Sequence, residues 1–387
     1  MKRRGFIKVM GAGIGTVALS SAIVSCGETN VRDSYGWNGP EPDEKDIRMR
    51  VLTYAMLCPN PHNKQPWIIR FTGSNSFDLY VDPERLLPAT DPYYRQIHIG
   101  QGTFLETLAI AATGLGHEAF IDYFPQGMYG NKELLDKPVA SIKLIEQTTI
   151  APDPLFAHLL NRHSNKREYD KIGLNLAERD VLQAFHGSKS RHPLTIVHSP
   201  EAKQHCERIL TEAMQIEVGN PSRDEETIKM FRFNEDEVTK YRDGFGVEQA
   251  GLSGLKKFFV ETLLLSRENV EKDPSSFGQQ AVEITQNVAA STSTFAWMST
   301  PSNQRVDQVK VGRDYCRFNL KATAMGIAQH PMSQVLQEYE EMLPLQASFK
   351  ESFKIPKNDT VQMLFRLGKA EATPHGPRRL ISSIIRA

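Results

Sequence analysis

The sequence has little cysteine, no net charge and no apolar run long enough for a comfortable membrane span. Lys+Arg and Asp+Glu both total 46 among 387 residues, so the chain lacks the basic excess typical of nucleic-acid-binding proteins. The four cysteines are widely spaced, at Cys26, Cys58, Cys206 and Cys316. Without a CxxC pair they indicate neither a zinc site nor a disulfide framework. Cys58 and Cys316 fall at apolar positions of predicted helices, so we expect buried, inert thiols.

The N-terminal segment 1–27 has the features of a targeting signal. It begins with Arg3-Arg4-Gly5-Phe6-Ile7-Lys8, which resembles a twin-arginine export signal, and ends in Ile23-Val24-Ser25-Cys26-Gly27, which resembles a bacterial lipobox. We therefore expect an exported periplasmic or cell-envelope lipoprotein, anchored to the membrane by acylation at Cys26. The alternative is a plain signal peptide cut elsewhere. Export of this type carries folded proteins, which favours a cofactor loaded before export.

The length of the chain exceeds what one core usually supports, so two domains or two fused halves are expected. We predict a flexible tether over residues 28–45, a first half over 46–154 and a second half over 155–387. Residues 219–280 are charged and irregular, and they form either a lid-like insertion or a solvated connector. A faint internal repeat supports the halves, because Gly102 and Gly312 each open a predicted helix with small residues at matching spacings. Alternatively, the matching spacings of small residues are a coincidence.

Apolar periodicity predicts both helices and strands along the chain. Helices are predicted after Asp46, over 102–116, over 155–160 and after Asn175. Strands are predicted over 67–71, 77–81, 140–145, 194–198, 289–299 and 360–368. This mixture predicts an α+β protein.

One stretch carries the clearest chemical signal, Arg162-His163-Ser164-Asn165-Lys166-Arg167-Glu168-Tyr169. It places three cations and a hydroxyl within eight residues, a combination that suits a phosphate dianion. Arginine offers a fork of N–H donors matched to phosphate oxygens, and lysine offers a mobile charge. By itself the cluster is also compatible with a solvated surface.

Three further stretches give the cluster a context. Pro59-Asn60-Pro61-His62-Asn63-Lys64-Gln65-Pro66-Trp67 is a rigid, amide-bearing loop that leads into a strand. Gly326-Ile327-Ala328-Gln329-His330-Pro331-Met332 follows a helix rich in small residues, and Pro377-Arg378-Arg379 adds two cations near the C-terminus. Over roughly residues 46–380 the chain resembles the nitroreductase-like FMN-binding oxidoreductases, in the two-halved single-chain subgroup that carries a twin-arginine signal.

The resemblance implies an α/β/α sandwich in which two related halves form an intrachain pseudo-dimer around antiparallel sheets. It implies one FMN per chain, hydride transfer through flavin N5 to a nitroaromatic, quinone or similar acceptor, and NAD(P)H as a possible donor. No side-chain acid or base and no metal is implied; the backbone near Met332 and Ser333 is expected to face N5. The implied cofactor-binding residues are Asn60, His62, Asn63, Gln65, Arg162, Ser164, Lys166, Pro331, Met332, Ser333, Arg378 and Arg379. A monomeric pseudo-dimer or weak homodimer is expected.

The sequence also departs from the family pattern. Asn60 stands where a serine is usual, and Pro331-Met332-Ser333 lacks the usual Glu-Gly. As alternatives, Asn63 and Gln65 simply cap the following strand, and Arg378-Arg379 is part of an ordinary charged tail. Two other functions therefore stay open: a flavin-binding protein without turnover, and an anchored interaction protein whose flavin site has decayed.

Overall fold

A computed structural model describes residues 36–147, 149–190, 192–252, 257 and 266–386. The predicted targeting segment, including Cys26, lies outside these residues. The described chain is α+β, with two sheets and mostly antiparallel strand pairs. No described helix is both long and apolar enough to cross a membrane.

The strands follow one another along the chain as β1 (Trp67–Gly73), β2 (Ser76–Val81), β3 (His117–Tyr123), β4 (Ala140–Glu146), β5 (Leu194–Val197), β6 (Thr294–Thr300), β7 (Ala328–Pro331), β8 (Thr360–Gly368) and β9 (Ile385–Arg386). The first sheet has the order β3-β4-β2-β1-β9, and only its β1–β9 pair is parallel. The second sheet is antiparallel throughout, with the order β5-β6-β8-β7.

The described α-helices are α1 (Ile47–Ala55), α2 (Arg95–Gly114), α3 (Leu176–Lys189), α4 (Pro200–Glu217), α5 (Pro221–Met230), α6 (Glu235–Tyr241), α7 (Arg267–Lys272), α8 (Pro274–Ala290), α9 (Arg305–Ala324) and α10 (Leu343–Ser352). The predicted caps are confirmed at two of them. The Asp46 side chain accepts a hydrogen bond from the Arg48 N–H, and Asn175 forms a capping box with Glu178.

The two sheets repeat one connectivity. Leaving β9 aside, the first sheet reads β1-β2-β4-β3 and the second reads β5-β6-β8-β7. In each sheet a helix of 20 residues joins the second strand to the third, α2 in one case and α9 in the other. The halves differ between their first two strands, where β1 and β2 form a tight hairpin but β5 and β6 are separated by an insertion, residues 198–293. It contains the described helices α4 to α8 and is longer than the predicted insertion 219–280. The C-terminal β9 crosses over to extend the first sheet.

The helices α2 and α9 cross at Gly102 and Gly312, which occupy equal positions in the two helices. A Cβ atom on Gly102 would collide with the Val309 carbonyl, and one on Gly312 would collide with the Ile99 carbonyl. Only glycine therefore permits this approach of the backbones. The prediction that these glycines open their helices is wrong, since α2 begins at Arg95. Its N-cap, Tyr94, has a φ of 58° and makes no side-chain cap, so the sequence carries no start signal there.

Two buried arginines connect the halves. The Arg95 guanidinium donates to the carbonyl oxygens of Gln362 and Leu336, both at 2.8 Å. Arg305, at the equal position in α9, donates to the carbonyl of Tyr93 in the first half at 2.8 Å. Each helix start is thus tied to the opposite half, which holds the crossing in place.

The second sheet lies between two apolar layers. On one side it packs with Val311 and Phe318 of α9, and on the other with Ile209 of α4 and Phe349 of α10. Burial on both faces explains why β6 and β8 are buried almost throughout. The first sheet shares one core with α1, α2 and Val309 of α9.

Several predicted boundaries change. The strand predicted over 289–299 begins at Thr294, because α8 extends to Ala290 and takes up the first apolar residues. The helix predicted over 155–160 is a 3₁₀ segment, Phe156–Asn161. The strand predicted over 360–368 is confirmed, whereas β3, β7 and β9 were missed.

The three described cysteines are free and buried, as expected for Cys58 and Cys316. Burial raises the pKa of Cys58 to about 11 and those of Cys206 and Cys316 to about 12. These thiols are therefore protonated near neutral pH and unreactive.

Candidate functional site

A cavity of about 400 Å³ lies where the two halves and the helical insertion meet. This volume is within the range of sites for small molecules and cofactors. Its walls come from the loop after α1, from α2 and α9, from the basic stretch, from the end of β7 and from the C-terminal tail. The predicted site residues that line it are Asn60, His62, Asn63, Arg162, Ser164, Lys166, Pro331, Met332, Ser333 and Arg378. Sequence segments far apart in the chain are thus brought together.

The loop between α1 and β1 is held against α2. The Thr103 hydroxyl donates to the Pro59 carbonyl at 2.5 Å, and inside the loop the Gln65 N–H donates to Asn60 Oδ1 at 2.8 Å. His62 and Gln65 have φ values of 50° and 53°, a conformation that side-chain-bearing residues adopt at a cost. Strain of this kind concentrates at functional sites, and here it shapes one wall of the cavity.

One end of the cavity is strongly basic because Arg162 and Arg378 are buried side by side. Both guanidinium groups donate to the Leu57 carbonyl, at 3.1 Å and 3.2 Å. Burial, with Arg162 adding to it, lowers the pKa of Arg378 to about 9, and burial also lowers the pKa of Arg162. Within the described chain neither guanidinium has a carboxylate partner. Two buried cations without a counter-charge create a site for an anion.

Lys166 and His163 extend the basic end. The Lys166 ammonium lies 3.8 Å from the ring centroid of Phe245, and burial lowers its pKa to about 8. Burial likewise lowers the pKa of His163, and it lowers that of His62 to about 4, so both imidazoles are neutral near pH 7. Ser164 lines the same region. The charge available to a ligand near neutral pH therefore comes from the arginines and from Lys166.

Trp37 covers this basic end, although the sequence placed it in a flexible tether. Its ring stacks on His375 with centroids 3.9 Å apart and planes inclined by 8°. Its indole N–H donates to the Gly376 carbonyl at 3.1 Å, and the Arg378 guanidinium lies 5.0 Å from its ring centroid. At 6% exposed, Trp37 is part of the cavity wall.

The amides of Asn63 and Gln65 are already used inside the protein. Asn63 Oδ1 accepts from Arg378 at 2.8 Å, and its Nδ2 donates to the carbonyls of Gly244 and Pro377. Gln65 is fully buried, is not among the cavity-lining residues, and joins the backbone of Arg242 to the tail. Both side chains thus bind the loop to the insertion and to the C-terminal tail. Asn63 also lines the cavity, so its contact with a flavin ring stays a prediction, whereas Gln65 does not line the cavity.

Two further predicted contacts need correction. The Met332 N–H donates to the Leu364 carbonyl at 2.8 Å, so it is not available to a ligand, whereas the Ser333 N–H has no acceptor among the described residues. Arg379 points away from the cavity, where its guanidinium donates to the Gln65 carbonyl and faces Asp82 at 3.5 Å. Of the predicted pair, only Arg378 therefore lines the cavity.

Several lining residues have polar atoms without a partner in the described chain. They are His62 Nδ1, Glu217 Oε2, Gln249 Nε2 and Gln334 Oε1. A buried polar atom without a partner is costly, so these atoms indicate a polar ligand or water in the cavity. Basic groups at one end and unpartnered amide and imidazole groups elsewhere suit a ligand with an anionic tail and a polar-edged ring.

The equivalent position in the other half is filled. Thr103 lines the cavity, and the residue at the same position in α9 is Arg313. Arg313 pairs with Glu106 at 2.5 Å, and Arg317 bridges Glu106 and Asp153 at 2.7 Å each. The loop equivalent to 56–66 is much shorter in the second half, where α3 ends at Lys189 and β5 begins at Leu194. Among the described residues, no group of three or more His, Cys, Asp or Glu side chains forms a possible metal site.

Comparisons with known proteins give full-length but distant similarity. No family model matches the chain. A protein of Mycobacterium tuberculosis strain H37Rv, named as a putative NAD(P)H nitroreductase, is 23% identical over 360 residues, which cover 89% of this chain and 92% of the relative. An uncharacterized protein of the same strain is 38% identical over 79 residues, 20% of this chain and 23% of its own length.

Among solved structures, a nitroreductase with bound FMN from Bacteroides fragilis is 13% identical, covering 61% of this chain and 98% of its own at a TM-score of 0.34. The nitroreductase NfnB from Mycobacterium smegmatis in complex with NADPH is 12% identical and covers 59% of this chain and 94% of its own, at a TM-score of 0.35. The name of the full-length relative supports the resemblance to the nitroreductase-like family that the site motifs indicate.

Proposed function

We propose that the protein is an FMN-dependent, nitroreductase-like oxidoreductase of the two-halved single-chain type. The observation that carries the proposal is the pair of buried guanidinium groups, Arg162 and Arg378, without a carboxylate partner in the described chain, at one end of a cavity built by both halves. The similarity, over 89% of this chain, to a protein named as a putative NAD(P)H nitroreductase agrees with this function.

The residues present fit FMN. Arg162, Arg378 and Lys166 would hold the phosphate, with the Ser164 hydroxyl as a further donor. Each charge-assisted contact of this kind contributes about 1.5–3 kcal/mol. The unpartnered His62 Nδ1 and Gln249 Nε2 would meet the polar edges of the ring system, and the free Ser333 N–H replaces Met332 as the backbone donor. FMN, when bound, supplies hydride transfer, with NAD(P)H as the expected donor and a nitroaromatic or quinone as acceptor.

The chain's own contribution is to bind, orient and cover the cofactor. Asn63 fixes the loop to the insertion and to the tail, so the three walls form one rigid unit. Phe245 and Trp37 screen the basic end from solvent, which strengthens every electrostatic contact inside it.

Flavin binding and turnover are tested on the reconstituted protein. Titration with FMN, followed by flavin fluorescence, gives the dissociation constant and the stoichiometry. Anaerobic bleaching of the flavin by NADPH and reoxidation by a nitroaromatic then demonstrate the activity. A colourless protein that does not bind added FMN would refute the proposal. The exposed Arg208→Gln variant controls for the loss of one positive charge outside the site.

A flavin-binding protein without turnover is the second candidate. The helical insertion favours it, because residues 227–250 and 277–288 contribute much of the cavity wall and restrict access. A yellow protein whose flavin neither NADPH nor dithionite reduces would support this candidate over the oxidoreductase.

We propose one FMN per chain, supported by the ion pairs of Arg313 and Arg317 at the equivalent position in the other half. A flavin-to-protein ratio near two would contradict this. We further propose that the protein is a monomeric pseudo-dimer, which light scattering of the mature form tests. Twin-arginine export and acylation at Cys26 stay proposals as well, and a Cys26→Ser variant should lose its membrane association.

A further inference from the structure

The cavity continues away from its basic end into an apolar compartment formed by the insertion. α4 and α8 supply its walls, with the lining side chains Met214, Val218, Phe277, Ala281 and Ile284. This compartment belongs to the second half alone, because the first half has a tight hairpin in place of the insertion. An apolar compartment beside a cofactor site suits a flat organic molecule.

Glu217, at the end of α4, is the exceptional residue in these walls. It is 7% exposed and lines the cavity, and its Oε2 has no hydrogen-bond partner in the described chain. The residues that α8 presents to the cavity are uncharged, as are Gln334 and Gln337, and Asp224 is the other acidic residue among the described residues that line the cavity. An ionised carboxylate without a partner would be costly here, whereas a neutral carboxylic acid offers an O–H donor to a ligand.

The charged and titratable groups around Glu217 come from α5 and from the segment before α10. Burial raises the pKa of Glu217 to about 7; Arg223 opposes this shift, while Asp224 and Glu226 reinforce it. Tyr339 also faces Glu217, and burial raises its pKa well above the ordinary value. Arg223 is itself engaged, since it donates to the Glu217 and Ile216 carbonyls. The side chain of Glu217 is thus left to interact with the cavity.

We propose that this compartment is the electron-acceptor subsite, and that Glu217 in its protonated form donates a hydrogen bond to an oxygen of a neutral nitro or quinone compound. The inference rests on the proposed function and adds the substrate class: an apolar, uncharged aromatic with an exposed oxygen acceptor. Anionic aromatics are selected against, because Asp224, and Glu217 once it is ionised, oppose a negative charge at this end.

Affinity for a neutral acceptor should decrease with rising pH, because the protonated form of Glu217 donates the hydrogen bond. Protonated Glu217 predominates below its pKa and is lost as the pH rises above about 7. From about pH 6 to about pH 8.5 its protonated fraction falls by more than about tenfold, so affinity for a neutral acceptor falls roughly tenfold over that interval. Glu217→Gln keeps a donor at the same position and does not titrate, so its affinity should be nearly independent of pH.

The experiment uses the FMN-saturated protein in its oxidised form. Binding of 4-nitrotoluene and of the anionic 4-nitrobenzenesulfonate is measured at both pH values for the wild type and for Glu217→Gln. In the wild type we expect the affinity for the neutral compound to be about tenfold lower at the higher pH than at the lower pH. At the higher pH we expect the sulfonate to bind at least about tenfold more weakly than the neutral compound. In Glu217→Gln both differences should fall below about threefold, with FMN affinity unchanged.

The possible failures are distinguishable. If the wild type does not bind FMN, the proposed function fails before this inference is tested. If FMN binds but 4-nitrotoluene affinity is independent of pH or increases with pH, the role of Glu217 is refuted and the flavin site stands. If the sulfonate binds as tightly as the neutral compound at the higher pH, the charge selection is refuted. Should Glu217→Gln fold poorly, the wild-type pH profile still decides. The predicted loss of affinity lies mostly above about pH 7, where Asp224, whose pKa burial raises to about 6, has already lost most of its proton.

Discussion

The two halves of this chain share one scaffold and differ in what they attach to it. Both have four strands in the same order and a helix of 20 residues between the second strand and the third. The first half adds the long loop 56–66 after α1, whereas the second adds the insertion 198–293 between β5 and β6. The cavity forms where these two additions face each other across the crossing of α2 and α9. The shared scaffold therefore provides rigidity, and the differences between the halves provide the site.

The comparison also explains why the second, symmetry-related position holds ion pairs instead of a cavity. Glu106 binds Arg313 and Arg317 there, and the loop over it is short. Because the chain builds its cavity at one of the two equivalent positions, the other position can hold ion pairs that connect the halves. The following predictions test this division between scaffold and site.

The largest effect is expected at the symmetric crossing. Gly102→Ala and Gly312→Ala each place a Cβ against a backbone carbonyl of the other helix, so the helices must separate. We expect each variant to lose about 3 kcal/mol or more in free energy of unfolding, because overpacking against backbone cannot relax through a rotamer change. Thermal and urea denaturation measure this.

Gly187→Ala in α3 is the matched control for these variants. Nothing lies within 4 Å of a Cβ at Gly187, so the variant should be unchanged or more stable by about 0.5–1 kcal/mol. Equal stability of all three variants would contradict the close crossing.

The next effect separates two neighbouring arginines of the C-terminal tail. Arg378 faces the cavity and Arg379 faces Asp82. Arg378→Gln should weaken FMN binding by about ten- to a hundredfold, since it removes one charge-assisted contact to the phosphate. Arg379→Gln should change the dissociation constant less than about twofold in the fraction that is folded. Titrations by flavin fluorescence measure both, and a larger effect at Arg379 would reverse the assignment.

A smaller effect is expected from the charge of Lys166. Because burial lowers its pKa to about 8, the free protein loses this cation as the pH rises through that value. FMN affinity should therefore decrease by up to about tenfold between about pH 7 and about pH 9.5. Lys166→Arg, which stays charged, should remove most of that decrease. The same decrease in Lys166→Arg would assign the pH effect to another group.

The smallest effect concerns Trp37, which belongs to neither half. Trp37→Ala removes the ring that covers the basic end, and aromatic contacts of this kind contribute about 0.5–1.5 kcal/mol. FMN should dissociate about two- to tenfold faster, while Trp37→Phe should keep most of the stacking. Stopped-flow displacement of FMN measures the rates. Identical rates in all three proteins would show that Trp37 does not cover the cofactor.

The sequence predicted the well-marked elements, and ten of its twelve candidate cofactor-binding residues line one cavity. The polar caps Asp46 and Asn175 marked the starts of α1 and α3, and the apolar pattern of 360–368 marked β8. These signals were sufficient because they depend only on neighbouring residues. It did not predict the start of α2, which lacks a cap, or the short strands β7 and β9, which exist only through pairing with distant strands. Trp37 was missed because it lies in the segment predicted as a tether. Glu217 was missed because it ends α4, just before the predicted irregular segment 219–280, and no sequence motif marks it.

The sequence by itself determined which residue types are available to the proposed FMN phosphate, since a phosphate requires cations wherever they lie in the chain. Only the tertiary structure decided which of those cations face the cavity, because Arg378 and Arg379 are adjacent in sequence but point to opposite sides. It also decided that the amides of Asn63 and Gln65 hold the walls together. Direction and partners of a side chain depend on packing between distant segments, and that packing is set by the close crossing of two helices at Gly102 and Gly312.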